Sequence, residues 1–327
     1  MGLPQRRFFG HGVNRLWVYM DMITLDRYVS RRMPDCDVFV GLSGSALCSG
    51  KTVHARGAKY VCDRGSSHIR TQDQLLRDEH ALWDLEYAGI DPRVVDREEA
   101  EYDEADCITV PSTFALQTFA KQGVPRAKLR RLPYGVDLTK FHSTSTPDAE
   151  QFNILFAGAM SLRKGVQYLL QAYGRLKHRR KSLTFAGTAS PDFIKIMKRH
   201  SLWPNDALVL GHVPQQRLKE VMSRSHVLIL PSIEEGFGMV LAQAMACGCP
   251  VIGTEHTGAQ DLFEDAKEGF IVRIRQPDEI TERLQQLADD SKLRCLMSHA
   301  AIARVKQLGG WRDYGSQAMA TYEALLA

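Results

Sequence analysis

Apolar positions along this chain follow two spacings. Short unbroken runs end at glycine, proline or serine, and the stretches between them place apolar residues three and four apart. The first spacing reads as strands buried on both faces, the second as amphipathic helices. Strands are expected near Asp37, Lys59, Cys107 and Leu129, and again near Asn153, Leu183, Leu208, Val227, Val251 and Phe270. The clearest unit lies between Leu228 and Phe263. Its apolar run, Val227 to Leu230, stops at Pro231-Ser232, and a turn with two carboxylates and two glycines follows. Phe237, Val240, Leu241, Ala244 and Met245 then fall at i, i+3, i+4, i+7 and i+8, one helical face. Gly248 ends that helix, and Pro250-Val251-Ile252-Gly253 opens the next strand. Strand, helix and strand repeated in this way predict an α/β protein with doubly wound parallel sheets.

The repeat is uneven. Gln151 to about Leu287 makes a nearly complete doubly wound unit, with Gly187, Gly211 and Gly258 at strand ends or in the loops beyond. Ser143, Thr144, Ser145, Thr146 and Pro147 cluster before it as a linker. The first half holds fewer strands, and its opening MGLPQRRFFGHGVNRLWVYMDMI carries no strand pattern. Gly41-Leu42-Ser43-Gly44 is too weak a signal to stand for a ligand loop. The expected division is residues 1–147 as a short first Rossmann-like domain, 148–310 as a second, and 311–327 as a terminal helix. An incomplete first sheet leaves an exposed edge near the start, which a partner would cover.

The turn after Val227–Leu230 sits at the carboxyl end of a parallel strand, where such sheets bind ligands. A helix N-terminus offers free N–H groups and a positive dipole end, which suits a phosphate. Gly236 and Gly238 allow close backbone approach, and Glu235 can accept two hydrogen bonds from a sugar diol. Gln243 follows eight residues later, roughly 12 Å along a helix. Polar groups on either side of a phosphate site fit an elongated ligand with hydroxyls at both ends, the shape of a nucleotide sugar.

The segment PSIEEGFGMVLAQAMACGCPVIGTEHTGA resembles the donor-site signature of family 4 retaining glycosyltransferases (glycosyl transferases group 1), which have the two-domain GT-B fold. The resemblance implies that Glu235 contacts the donor sugar and that Gly236, Phe237, Gly238, Met239 and Val240 line the donor. Gln243 stands where the family carries a second Glu that holds the ribose hydroxyls. Gln still donates and accepts but lacks the charge-assisted strength of a carboxylate. Phe156 to Gly165 (FAGAMSLRKG) is similar to the family's basic donor-phosphate loop, with Gly158 at its turn and Ala159 where an Arg is often found. It implies that Lys164 and Arg163 meet the leaving diphosphate. A solvated helix start is the simpler account of these two residues, but cations are electrostatically unfavourable there. Gly258 resembles the loop near the diphosphate, and Val213 lies where the family packs the base. Cys62 to His68 resembles the first-domain loop that faces the donor sugar, which makes His68 a candidate active-site residue. The implied first domain is shortened, and Trp311 to Leu326 resembles the helix that crosses back to it.

What the resemblance implies is retaining, metal-independent transfer of a sugar from a UDP- or GDP-linked donor to a saccharide or lipid-linked acceptor, in polysaccharide or glycoconjugate synthesis. No cofactor is expected, because the nucleotide sugar is a substrate. The competing class is a weakened or inactive GT-B domain serving as a binding or scaffold subunit. Ala159, Gln243 and the short first half favour that class; the retained Lys164-Gly165 and Glu235 to Gly238 oppose it. An epimerase or a glucan phosphorylase on the same fold is a third reading, and no lysine site for a pyridoxal cofactor is recognisable.

Composition adds limits. A net charge of +4 on 327 residues is mild, and no basic patch is interleaved with stacking aromatics, so nucleic acid is not an expected partner. Lys177 to Lys181 follows a predicted helix and suits its C-terminal dipole end. Seven scattered cysteines do not form a disulfide framework, and Cys247-Gly248-Cys249 has no neighbouring His or second pair for zinc. No apolar run is long enough to cross a membrane. The cytoplasm is therefore the expected location. Arg6, Arg7, Arg15, Trp17 and Tyr19 offer a basic, aromatic start for peripheral contact with a membrane carrying a lipid-linked acceptor.

Overall fold

The apolar runs form two separate parallel sheets. The structure is a computed structural model and describes residues 11–327. In the first sheet β1 (Val38–Leu42), β2 (Lys59–Asp63), β3 (Cys107–Val110) and β4 (Leu129–Arg131) lie side by side in chain order. In the second, β5 (Phe152–Ala157), β6 (Lys181–Ala186), β7 (Leu208–Val209), β8 (Val227–Leu230), β9 (Val251–Thr254) and β10 (Gly269–Val272) take the order β10-β9-β8-β5-β6-β7. Every residue of β8 and β9 is buried. That is why these strands read as continuous apolar runs: helices cover both faces. The strand order reverses between β5 and β8, which pair at Ile154–Val227 and Leu155–Leu228. This switch point opens a crevice beyond their carboxyl ends.

The helices are α1 (His11–Arg32), α2 (Leu47–Ala55), α3 (Ile69–Leu82), α4 (Pro92–Glu104) and α5 (Thr113–Lys121) around the first sheet. Around and after the second come α6 (Val166–Arg175), α7 (Pro191–Arg199), α8 (Gln215–Ser223), α9 (Met239–Ala246), α10 (Ala259–Leu262), α11 (Pro277–Asp289), α12 (Ser291–Leu308) and α13 (Trp311–Glu323). No described helix is long and apolar enough to cross a membrane.

Residues from His11 onward form α1, and its Trp17, Val18, Leu25 and Tyr28 side chains are exposed. Arg15 donates to the Ala88 carbonyl at 3.2 Å, and the Arg93 guanidinium lies 5.1 Å over the Tyr19 ring. Arg6 and Arg7 fall outside the described residues. Asp26 of α1 is wholly buried and accepts from the Cys48 and Ser49 amides at 2.7 and 2.9 Å. Glu101 of α4 accepts from the Ala46 and Leu47 amides at 2.9 and 3.1 Å and from the Gly44 amide. Two of the chain's own carboxylates therefore satisfy the N-terminus of α2. β1 is the outer strand of its sheet, with Val40 and Leu42 exposed on the same face.

Helix α3 follows β2 in the chain, yet Leu75, and Trp83 and Leu85 just beyond its end, pack against the core of the second sheet. It lies across the boundary between the two units. At the other end of that boundary Tyr134, which follows β4, packs against Trp311 and Tyr314 of α13 at centroid distances of 6.1 and 5.8 Å.

Candidate active site

Two loops leave the carboxyl ends of β5 and β8 side by side. Gly165, at φ 65°, precedes α6, and a Cβ there would sit 1.8 Å from the Pro231 carbonyl oxygen. Only glycine fits both the left-handed backbone and that contact. The Ile233 amide donates to the Arg163 carbonyl at 2.8 Å. This register sets residues 163 and 164 opposite 234 and 235. Lys164 Nζ pairs with Glu235 Oε2, and Arg163 Nε lies 3.7 Å from Glu234 Oε2. Burial and the charge of Arg163 push the Lys164 ammonium down to about 8, while Glu234 opposes the shift. Burial raises the Glu234 carboxyl, but Arg163 and the donors of Ser66 and Ser67 outweigh it and hold the group below the usual range.

Beside these loops, beyond β5 and β6, lies a cavity of about 330 Å3 lined by Gly158, Thr188, His212, Val213 and Val240. Its walls are mostly small and apolar, with one hydroxyl and one imidazole, which suits a flat heterocycle. Gly238, at φ 81°, caps α9, and Met239 and Val240 occupy its first turn half-buried. Gln243 is half-buried about one turn further on. Phe237 is buried, and its carbonyl accepts from the Gly258 amide at 2.7 Å, which fixes the β9–α10 loop against the β8–α9 loop.

The first unit meets these loops through Gly65, Ser66, Ser67 and Gln72. A Cβ on Gly236 would lie 1.8 Å from the Gly65 carbonyl oxygen, so the two loops touch backbone to backbone. Glu234 is wholly buried and accepts from Ser66 Oγ at 2.6 Å, Ser67 Oγ at 2.8 Å, the Ser67 amide at 3.1 Å and Gln72 Nε2 at 3.1 Å. Further along the boundary, Glu79 of α3 binds Gln167, Tyr168 and Arg275 of the second unit at 2.7, 2.8 and 2.7 Å. Asp261 binds the Thr113 amide and hydroxyl at 2.8 and 2.6 Å and also Arg131.

His68 lies in the first unit and is not brought to the Lys164–Glu235 pair. Its side chain caps α3 by accepting from the Arg70 amide at 3.3 Å, and its ring packs against Tyr102 and Phe119 at 5.1 and 5.0 Å. Burial pushes it down to about 4, so it is neutral near pH 7. It lines a separate cavity with Glu99, Gln122 and Lys128. The apolar Phe119 side of α5 draws the ring inward, and the preceding serines face the second unit instead.

Of the residues singled out from the sequence, the structure brings Arg163, Lys164 and Glu235 together, with Gly236, Phe237, Gly238 and Gly258 in the loops around them. Gly158, Val213 and Val240 share the adjacent cavity. Glu234, Ser66, Ser67 and Gln72 were not singled out. The doubled carboxylate and the doubled hydroxyl were the available signals, but neither says which copy faces the other unit.

The glycosyl transferases group 1 family model matches residues 139–304, just over half of the chain. The D-inositol 3-phosphate glycosyltransferase of Arthrobacter sp. (strain FB24) is 30% identical over 208 residues, which are 59% of this chain and 49% of that protein. The O-antigen chain mannosyltransferase B of Escherichia coli is 26% identical over 185 residues, 52% of this chain and 45% of that protein. The chain thus spans about half the length of these two curated relatives. Sucrose-phosphate synthase from Thermosynechococcus elongatus superposes with a TM-score of 0.77 at 19% identity, covering 98% of this chain and 80% of that one. Anabaena HepE, solved with UDP and glucose, superposes with a TM-score of 0.73 at 17% identity, covering 93% and 82%. These structures share the fold, two Rossmann-like units of the GT-B type.

Proposed function

The chain belongs to the glycosyl transferases group 1 family, and on that premise we propose that it moves a sugar from a UDP- or GDP-linked donor to a saccharide or lipid-linked acceptor. In this reading, transfer is of the family 4 kind, with retention and without a metal ion or other cofactor. Residues 148–310 take the donor, residues 1–147 take the acceptor, and residues 311–327 close the chain back onto the first unit. The observation that carries the reading is the register of the two switch-point loops, which sets Lys164 against Glu235 beside a cavity shaped for a base.

As the bond between sugar and phosphate breaks, its electron pair goes to the departing nucleoside diphosphate. The Lys164 ammonium and the Arg163 guanidinium meet that growing charge, aided by the N-terminus of α9, which is electrostatic stabilisation of the transition state. Glu235, freed from Lys164 by the phosphate, accepts hydroxyls of the donor sugar. Val213 and Val240 sandwich the base, and Gln243 receives the ribose. Relatives whose names specify inositol phosphate and O-antigen chain substrates support glycoconjugate synthesis as the setting.

Calorimetric titration with a panel of nucleoside diphosphates and their sugars tests the reading. The chain should bind one sugar nucleotide. Glu235→Ala should weaken that sugar nucleotide about tenfold or more, as loss of hydrogen bonds to a charged group does, and leave the bare diphosphate nearly unchanged. No binding by the folded chain would overturn the proposal.

A lipid-linked acceptor would bring the chain to a membrane surface, and the exposed Trp17, Val18, Leu25 and Tyr28 of α1 support that extension. Co-sedimentation with anionic liposomes should occur and should weaken in Trp17→Ser. Absence of binding by the parent chain would remove it.

A further inference from the structure

A buried carboxylate whose hydrogen-bond donors all come from the other unit is a joint between the two. Glu234 is such a group. Its loop belongs to the second sheet, and its four donors, Ser66 Oγ, the Ser67 amide, Ser67 Oγ and Gln72 Nε2, belong to the first unit, all within 3.1 Å. Arg163 Nε, at 3.7 Å, supplies the opposite charge from the second unit.

The loop that carries Glu234 is held from its own side as well. Thr254 Oγ1 donates to the Ser232 carbonyl at 2.6 Å, and His256 Nδ1 lies 2.9 Å from the Ile233 carbonyl. The next residue is Glu235, paired with Lys164, and Arg163 precedes Lys164 in the facing loop. Two ion pairs thus sit one residue apart on the same two loops. One points into the donor site and the other into the unit boundary. Any displacement of the Ser66-Ser67 turn is felt at Glu235 across a single peptide link.

We infer that Glu234 is a positioning residue: by binding Ser66, Ser67 and Gln72 it fixes the first unit against the loop of Glu235, and so sets the geometry in which Glu235 and Lys164 act on the donor. The inference rests on the transferase reading for its catalytic consequence. Its structural half, that Glu234 holds the two loops together, stands on the contacts alone. Glu234 itself touches no reacting atom. Removing it should therefore spare donor affinity and slow turnover, since small misplacements of reacting groups are costly to rate.

The test uses the full chain with Glu234→Ala, Glu234→Gln and Ser67→Ala. For Glu234→Ala, donor affinity by calorimetry should stay within about threefold while kcat falls about 100-fold. Glu234→Gln keeps an oxygen for the serine hydroxyls and should recover most of that loss. Ser67→Ala combined with Glu234→Ala should be no slower than Glu234→Ala alone, as expected of partners in one contact. Hydrogen exchange of the Ser67 amide should speed up in Glu234→Ala without a change in the core strands. A kcat within twofold of the parent chain, or donor affinity lost in parallel with kcat, would overturn the inference. If the parent chain transfers no sugar, the transferase reading fails by itself. The exchange experiment then decides, because an unchanged Ser67 amide would overturn the joint.

Discussion

Lys164→Ala should lower sugar transfer by roughly 10²–10³-fold or more, with the fold unchanged. The magnitude is that of deleting one preorganised group aimed at developing negative charge. Lys164 is well placed for this effect because the loop geometry, not flexible reach, holds it. Gly165 is pinned against Pro231 and the Arg163 carbonyl takes the Ile233 amide, so the ammonium is delivered to the crevice without reorganisation. The variant leaves Glu235 without its partner, but that carboxylate borders the cleft, where water and donor hydroxyls can replace the lost bond. Thermal unfolding should therefore match the parent within a few degrees. Release of nucleoside diphosphate in the presence of acceptor measures the rate. Turnover near that of the parent chain would remove Lys164 from the mechanism.

Glu79→Ala should be the most damaging single change to stability among the boundary residues. Glu79 is wholly buried in α3 and accepts from Gln167, Tyr168 and Arg275 of the second unit, and from Trp83 Nε1 at 3.1 Å. Truncation removes the countercharge of the partly buried Arg275, which keeps only the Leu75 carbonyl, and one of the two acceptors of the buried Gln167 amide. Breaking a buried pair by removing one partner costs about 3–5 kcal/mol. Guanidinium denaturation should show a clearly lower midpoint. Glu79→Gln, which keeps an acceptor but loses the charge, should fall between the two. An unchanged midpoint in Glu79→Ala would mean that α3 is not held through this carboxylate.

Much of this molecule is legible one segment at a time. Val227 to Leu230 and Val251 to Thr254 are continuous apolar runs because both faces of their sheet are covered, and a period-based reading finds them directly. All ten strands among the described residues fall near their expected positions. The start of the chain departs from that ease. MGLPQRRFFGHGVNRLWVYMDMI shows no strand, and the described part of it is helix, but its apolar residues are spread around the axis and do not mark one buried face. What α1 does contribute, the Asp26 carboxylate at the start of α2, is a polar contact with a distant helix that no periodicity reports.

The candidate site divides in the same way. Glu235, Lys164, Gly236 and Gly238 are visible because the chemistry of a strand end and a helix start is local. A close backbone at Gly236 and Gly238 and a carboxylate beside a helix start can be read from spacing, and Lys164 is marked by the resemblance of its loop to a basic phosphate loop. His68 and Ser67 show the limit. They are neighbours in one short loop, and only the packing of Phe119 and Tyr102 turns the imidazole inward and leaves the serines to face the second unit.

The sequence by itself determined the parallel α/β architecture and the basic and acidic residues in the loops after β5 and β8, because each depends on patterns within a few residues of chain; that these two loops lie side by side at the switch point was decided by the strand order. Only the tertiary structure decided that Glu234, the neighbour of Glu235, is buried and joins the units. It alone decided that α3, following β2, packs on the other core, and that Glu79, one polar position among several on a helix, is buried. Those outcomes depend on which surfaces meet across the boundary, and residues 88 to 196 positions apart supply the partners. Local spacing carries no record of that meeting.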